Sequence, residues 1–245
     1  MEGTAIQLYT LRDLEESVPA LLSRVAETTF DGVEFAGLGE TDPETAADVL
    51  DDAGLEAAGV HVGIESLEDD PDGVRETCTA LDCEHVVVPY LDVRHFATAE
   101  AVRETAARLE GLADRLEEDG LTLGYHNHDH EFVDVPGDDR TAFEVLVDET
   151  GDDVTIELDV GWVTAAGHDP VALLERLEGR VPLVHLKDVA DGVPVELGDG
   201  EVDVVACAQA ARSSGTEWLI YEHDDPADPA SSLARGAATL TELRD

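Results

Sequence analysis

Polar residues recur at every second position in several otherwise apolar runs of this chain. Glu157 and Asp159 alternate with Ile156, Leu158 and Val160; His185 and Lys187 flank Leu186; Glu222 and Asp224 follow Ile220; His126 and His128 follow Gly124. In an extended chain, residues two apart share a side, so each run turns carboxylate, imidazole or ammonium groups one way and aliphatic groups the other. Burying several carboxylates without compensation is costly. A divalent cation is the simplest compensation. Carboxylate oxygens with an imidazole favour Mn²⁺, with Mg²⁺, Co²⁺ or Zn²⁺ also admissible. The alternative is mutual pairing, with Lys187 and water satisfying the acids. Lys187 is the single lysine among 14 basic residues. Its ammonium suits stabilisation of a developing oxyanion or capture of a substrate hydroxyl.

The elements that must carry these groups alternate along the whole chain. Candidate strands cover 5–9, 32–36, 57–62, 85–90, 121–126, 154–160, 182–187 and 218–223, each a short aliphatic run. Helical stretches lie between them, opened by Thr41-Asp42-Pro43, by Thr98 before Ala99-Glu100 and by Asp169-Pro170. The stretch 99–118 places Val102, Ala106, Leu109, Leu112, Ala113 and Leu116 on one stripe. Eight such units predict a single (β/α)8 TIM barrel domain over 1–245. A doubly wound open sheet is the runner-up, but no glycine-rich phosphate turn follows the first strand. In a barrel the inward polar positions gather at the C-terminal ends of the strands, where Gln7, Tyr9, Glu34 and His61 join them from the first three strands.

Composition narrows the partners. With 58 acidic against 14 basic residues the net charge is −44, which repels nucleic acid and anionic membrane surfaces. The expected partner is a small molecule, with no nucleic acid and no membrane, and a homo-oligomer stays open. Acidity of this degree, with lysine nearly absent, is the pattern of a halophilic protein, whose self-repulsion concentrated salt screens. Cys78, Cys83 and Cys207 lack metal-ligand spacing and read as small core residues in a reducing compartment. No apolar run approaches the roughly 18 residues of a spanning helix, and the start shows no signal-peptide pattern, so a cytoplasmic location is expected.

Several segments, taken in order, resemble a known group. They are Ile6-Gln7-Leu8-Tyr9-Thr10-Leu11-Arg12-Asp13, Gly32-Val33-Glu34-Phe35, Tyr125-His126-Asn127-His128-Asp129-His130-Glu131-Phe132, Leu158-Asp159-Val160-Gly161-Trp162, His185-Leu186-Lys187-Asp188, Gly198-Asp199-Gly200 and Tyr221-Glu222-His223-Asp224. The chain is similar to the xylose-isomerase-like barrels, in particular to sugar phosphate isomerase/epimerases, relatives of inosose dehydratase and the ketose 3-epimerases. The resemblance implies one divalent cation held by Glu131, Asp159, His185 and Glu222, with His128 competing with Glu131 for the ligand position after strand five. It implies proton abstraction next to a carbonyl through a metal-stabilised enediolate. Glu222 or Glu131 would act as base, Glu157 or His128 as second acid/base group, and Lys187 on the oxyanion. Gln7, Tyr9, Glu34, His61, His126 and Trp162 are the expected substrate-binding residues.

The loops at 188–200 and 224–229 contain no arginine or lysine, although Arg12 and Arg94 follow strands one and four. This favours an unphosphorylated sugar or keto-sugar. The expected activity is therefore a metal-dependent isomerase or epimerase. The alternative is a lyase that eliminates water or an aglycone from a keto-sugar or cyclitol through the same enolate. An apurinic-site endonuclease conflicts with the charge, and a non-catalytic sugar- or cation-binding barrel is the remaining reading.

Overall fold

The computed structural model describes residues 3–244. Among the described residues ten strands form: β1 (Gly3–Gln7), β2 (Gly32–Phe35), β3 (Glu56–His61), β4 (His85–Val88), β5 (Thr122–His126), β6 (Thr155–Asp159), β7 (Leu183–Leu186), β8 (Asp188–Ala190), β9 (Val193–Val195) and β10 (Trp218–Tyr221). Strands β1 to β7 and β10 close into a parallel barrel in sequence order, with Ala5 of β1 opposite Ile220 of β10. The helices are α1 (Val18–Val25), α2 (Pro43–Ala53), α3 (Ile64–Asp69), α4 (Pro71–Ala80), α5 (Ala99–Glu117), α6 (Ala142–Thr150), α7 (Val160–Ala165), α8 (Pro170–Arg176), α9 (Val204–Ser213) and α10 (Pro229–Leu243). Thr98, Asp42 and Asp169 each accept a backbone N–H of the first helical turn, as their positions before α5, α2 and α8 suggest. Among the described residues no helix is long and apolar enough to cross a membrane.

Two apolar layers hold the barrel. The outward parity of the strands packs on the helices, with Ile156, Leu158, Val184 and Leu186 fully buried there. Inside, Ala5, Ala58, Val87, Leu183 and Ile220 form a small plug. The charged residues occupy the next inward positions toward the strands' C-terminal ends. Cys78, Cys83 and Cys207 are buried free thiols, their pKa values pushed up by burial to about 11, about 12 and about 12.

Two local features depart from the sequence reading. Strand β1 ends at Gln7, whose side chain accepts the N–H of Tyr9 at 3.0 Å and turns Leu8–Leu14 into a 3-10 helix. Tyr9 therefore leaves the strand and stands 43% exposed at the barrel mouth. The antiparallel β8–β9 hairpin, absent from the expected strands, is pinned by the buried Asp188 carboxylate. It accepts N–H groups from Val189, Gly198 and Gly200 at 2.9 Å and from Val202 at 3.0 Å. This clamp begins one residue beyond Lys187.

Candidate active site

His126, Asp159, His185 and Glu222 come from the ends of four barrel strands, and one ligand atom of each lies within 4.8 Å of the others. All four are buried. His185 Nδ1 is 2.9 Å from Glu222 Oε2, and His126 Nε2 is 3.8 Å from Asp159 Oδ2. Asp159 is fixed from both sides. Its Oδ1 accepts the N–H of Trp162 at 2.8 Å, capping α7. Its backbone N–H donates to Asn127 Oδ1 at 2.9 Å, and Asn127 Nδ2 donates back to its carbonyl at 3.3 Å. Asn127 thus locks the end of β5 to the end of β6. The quoted motif contained this residue without a role, because its parity points away from the polar side.

Lys187 Nζ stands 2.9 Å from Asp159 Oδ2, 2.8 Å from Glu222 Oε2 and 2.7 Å from Asp224 Oδ2. One ammonium faces three carboxylates. Burial raises the pKa of Asp159, Lys187 pulls it back, and the balance lies at about 6. Burial acts on Glu222 in the same sense, but Lys187 and His185 outweigh it and hold that carboxyl well below the usual range. Glycine at 161 makes room for the lysine: a Cβ there would come within 2.8 Å of Lys187 Cγ.

Beneath this group lies a second polar layer. Glu157 Oε2 has His61 Nε2 at 2.8 Å, His126 Nδ1 at 2.9 Å and His185 Nε2 at 3.2 Å. Glu34 Oε2 accepts from His185 Nε2 at 2.6 Å and from Gln7 Nε2 at 2.9 Å. Gln7, Glu34 and Glu157, expected to meet substrate or move its proton, are fully buried below the ligand group and outside the cavity wall. Parity put them on the right side; their depth along the strand keeps them from the mouth.

Glu131 is absent from the converging group. A 3-10 turn at Asp129–Glu131 carries it behind the barrel end, where Oε1 accepts the Tyr125 hydroxyl at 2.5 Å. His126, on the inward parity of β5 itself, stands where Glu131 was expected. Burial raises the Glu131 pKa well above its ordinary value, and the Tyr125 hydrogen bond only partly offsets this. His128 Nδ1 is 4.0 Å from Glu131 Oε1.

A cavity of about 430 Å³ opens above the ligand group, with Tyr9, His61, Tyr90, His128, Glu222 and Asp224 in its wall. Burial, then the charge of Lys187, lowers the His128 pKa to about 3, so its ring is neutral and only weakly basic at ordinary pH. The ring stacks on Trp162 at 5.9 Å and meets the edge of Tyr90 at 5.1 Å. Trp162 is not in the cavity wall; it backs His128 and lies under Lys187, whose Nζ is 4.8 Å from its centroid. Tyr90 was not among the expected site residues. It follows β4 in an irregular segment, where strand periodicity carries no signal. Arg12 stacks on the Tyr9 ring at 4.0 Å, Arg94 pairs with Asp92, and neither is part of the cavity wall.

The donor set suits a divalent cation. Two carboxylates and two imidazoles converge, and Asp159 Oδ2 is buried without a well-formed hydrogen bond. The description "Xylose isomerase-like TIM barrel" matches residues 22–243. The chain belongs to this family. It is 29% identical to an inosose dehydratase of Lacticaseibacillus casei over 158 residues, 56% of this chain and 51% of that protein. It thus spans about half the length of that relative. An inosose dehydratase of Geobacillus kaustophilus is 28% identical over 254 residues, 84% of this chain and 80% of that protein.

Among solved structures, a sugar phosphate isomerase/epimerase from Parabacteroides distasonis superposes with a TM-score of 0.82 at 21% identity, covering 98% of this chain and 94% of that one. IolI protein with a bound zinc atom gives 0.78 at 16% identity, covering 98% and 97%. At these identities the structural likeness establishes the shared barrel.

Proposed function

We propose that this family member is a metal-dependent enzyme that removes a proton next to a carbonyl of an uncharged keto-sugar or keto-cyclitol and then eliminates water, as a lyase. The observation that carries the reading is the convergence of His126, Asp159, His185 and Glu222 beneath a sugar-sized cavity. These four residues would hold a divalent cation, with Mn²⁺, Co²⁺ or Zn²⁺ all compatible with their mixed oxygen and nitrogen donors. When bound, such an ion supplies Lewis-acid polarisation of a substrate oxygen and acidifies the adjacent C–H.

The chain's own groups supply the rest. Lys187 is buried outside the cavity wall, so in this reading it acts through Asp159 and Glu222, offsetting their charge, and not by touching the substrate oxygen. Glu222, in the cavity wall, would accept the carbon-bound proton, and His128, neutral and in the same wall, would serve as the second proton-transfer group. Glu131, held by the Tyr125 hydroxyl, has no ligand role in this reading. Tyr9 and Tyr90 offer ring faces to an apolar sugar face. A phosphate has no arginine partner in the cavity wall, which favours the uncharged substrate.

Elimination is favoured by the likeness to inosose dehydratases. The isomerase or epimerase outcome shares every step up to the enolate, and one observation supports it: His128 and Glu222 are both in the cavity wall, so one group could take a proton and the other return it. Incubating the Mn²⁺-loaded protein with inososes, ketoses and 3-keto-glycosides in deuterated water distinguishes them. A metal-dependent product absorbing as an enone supports the lyase. Recovery of a deuterated epimer or isomer replaces it with the second outcome. No bound metal and no exchange with any of these substrates overturns both.

A further inference from the structure

His126 and His185 each face two layers with their two ring nitrogens. Toward the cavity, His185 Nδ1 meets Glu222 Oε2 at 2.9 Å and His126 Nε2 meets Asp159 Oδ2 at 3.8 Å. Below, His185 Nε2 meets Glu34 Oε2 at 2.6 Å and His126 Nδ1 meets Glu157 Oε2 at 2.9 Å. A neutral imidazole carries one N–H and one lone pair, and a ligating ring must present the lone pair. Ionised carboxylates only accept. Carboxylates thus stand at both nitrogens of each ring; with the upper pair, Glu222 and Asp159, engaged by a cation, the lower pair, Glu34 and Glu157, would be the acceptors left for the N–H, which turns the lone pair toward the cavity.

We propose that Glu34 and Glu157 are positioning residues that set the tautomers of His126 and His185, so that His185 Nδ1 and His126 Nε2 are the ligating atoms. This rests on the metal reading given above. His61 ties the two carboxylates together, with Nε2 3.2 Å from Glu34 Oε1 and 2.8 Å from Glu157 Oε2, and Gln7 Nε2 holds Glu34 from the other side at 2.9 Å. The sequence also keeps space for the device. Gly59 lies opposite Glu34 in the β2–β3 register, and a Cβ at 59 would come within 2.8 Å of Glu34 Oε1.

The lower layer could itself be taken for a metal site, since His61, His126, Glu157 and His185 also bring ligand atoms within 4.8 Å of one another. Filling both layers would require two rings to ligate through both nitrogens, each stripped of its remaining proton. Carboxylates backing ligating histidines avoid that cost, and such partners change metal affinity by about 10- to 100-fold.

The test is Co²⁺ binding to the full chain, read by calorimetry and by the visible absorption of the bound ion. Glu34→Ala and Glu157→Ala each weaken binding about 10- to 100-fold and alter the cobalt spectrum. Glu34→Gln and Glu157→Gln, which retain an acceptor oxygen, recover most of the loss. Gly59→Ala keeps both carboxylates but displaces Glu34, and weakens binding in the same direction, which covers the case that an alanine variant fails to fold. Unchanged affinity in folded alanine variants, or no recovery with glutamine, overturns the inference. Two bound equivalents in the wild type falling to one in His61→Ala also overturns it, by making the lower layer a second site. Failure of the parent reading looks different: the wild type takes up no Co²⁺, or Asp159→Asn binds it as well as the wild type does.

Discussion

The ammonium of Lys187 stands 2.9 Å from Asp159 Oδ2, so the one lysine of the chain and the cation that its carboxylates suit draw on the same oxygen. Glu222 Oε2, 2.8 Å from the same nitrogen, is shared in the same way. Without metal the lysine is the main counter-charge for these acids, and with metal it competes. Lys187→Met should therefore destabilise the chelated protein by about 3–5 kcal/mol, the cost of leaving buried charges unpaired. The same variant should bind Mn²⁺ on the order of tenfold more tightly, since a unit positive charge near the site is gone, yet lose turnover. Thermal melts with and without EDTA, together with Mn²⁺ titration, check both arms; weaker metal binding in the variant would count against the shared-oxygen argument.

Gly161 offers a way to move that lysine without removing it. A methyl group there would meet Lys187 Cγ at 2.8 Å, Cβ at 2.9 Å and the carbonyl oxygen at 3.0 Å. The lysine cannot retreat easily, because the Asp188 clamp fixes the backbone one residue on. Gly161→Ala should cost about 1–3 kcal/mol of stability, as overpacking does, and lower kcat more than it weakens Co²⁺ binding. Equal kcat in a folded variant shows that the lysine position tolerates the shift.

What was legible in the sequence follows from what alternation encodes. The inward side of β6, β7 and β10 was readable because Glu157, Asp159, His185, Lys187 and Glu222 interrupt aliphatic runs at period two. The same rule pointed to His126 on β5. Glu131, with His128 as its competitor, came from the resemblance and lies past the strand end, in a 3-10 turn where strand parity no longer applies. Depth is also invisible to parity, so Gln7 and Glu34 looked like wall residues although they lie below it. The β8–β9 hairpin escaped because three-residue strands, one holding Pro194, give too short a pattern.

His61 gives the metal-free protein a pH signature. Burial disfavours its charge, but Glu34 and Glu157 prevail and push its pKa up to about 10 from an ordinary 6.5. A folded-state pKa above the unfolded one contributes stability that is complete below pH 6.5 and disappears as pH rises toward 10. His185 is raised as well, with burial opposed by Glu157, Glu34 and Glu222. Each group contributes up to about 1.4 kcal/mol per pH unit. Denaturant titrations of chelated protein between pH 6.5 and 9 should show stability falling, with a shallower slope in His61→Gln. Identical slopes in the two proteins would mean that His61 stays neutral in the fold.

Tyr90 tests the cavity wall. It is 52% exposed and stands edge-on to His128 at 5.1 Å, so its outer surface faces solvent or a ligand. Aromatic contacts of this kind are worth about 0.5–1.5 kcal/mol beyond buried area. Tyr90→Ala should raise KM roughly five- to tenfold with kcat nearly unchanged, the pattern of lost uniform binding. A fall in kcat at constant KM would instead assign the ring to holding His128.

The surface charge makes the last prediction, which concerns salt and not the site. Much of the arginine is already committed to neighbouring acids: Arg24 to Glu16, Arg108 to Glu68, Arg140 to Asp138 and Asp148, and Arg176 to Glu144. A net charge of −44 remains, spread over one 245-residue chain, and at low ionic strength its repulsion acts against the compact state. The Debye length shrinks from about 10 Å at 0.1 M to about 3 Å at 1 M, less than the spacing of most surface carboxylates. Each kcal/mol of relief corresponds to about 2–4 °C in a domain of this size, so the melting temperature should rise by roughly 10 °C or more between 0.1 and 2 M KCl. Chloride is the right anion, because sulfate stabilises most proteins by exclusion from their surface. A melting temperature that stays level over that range would remove self-repulsion as a governing term and return the acidic surface to ordinary solubility.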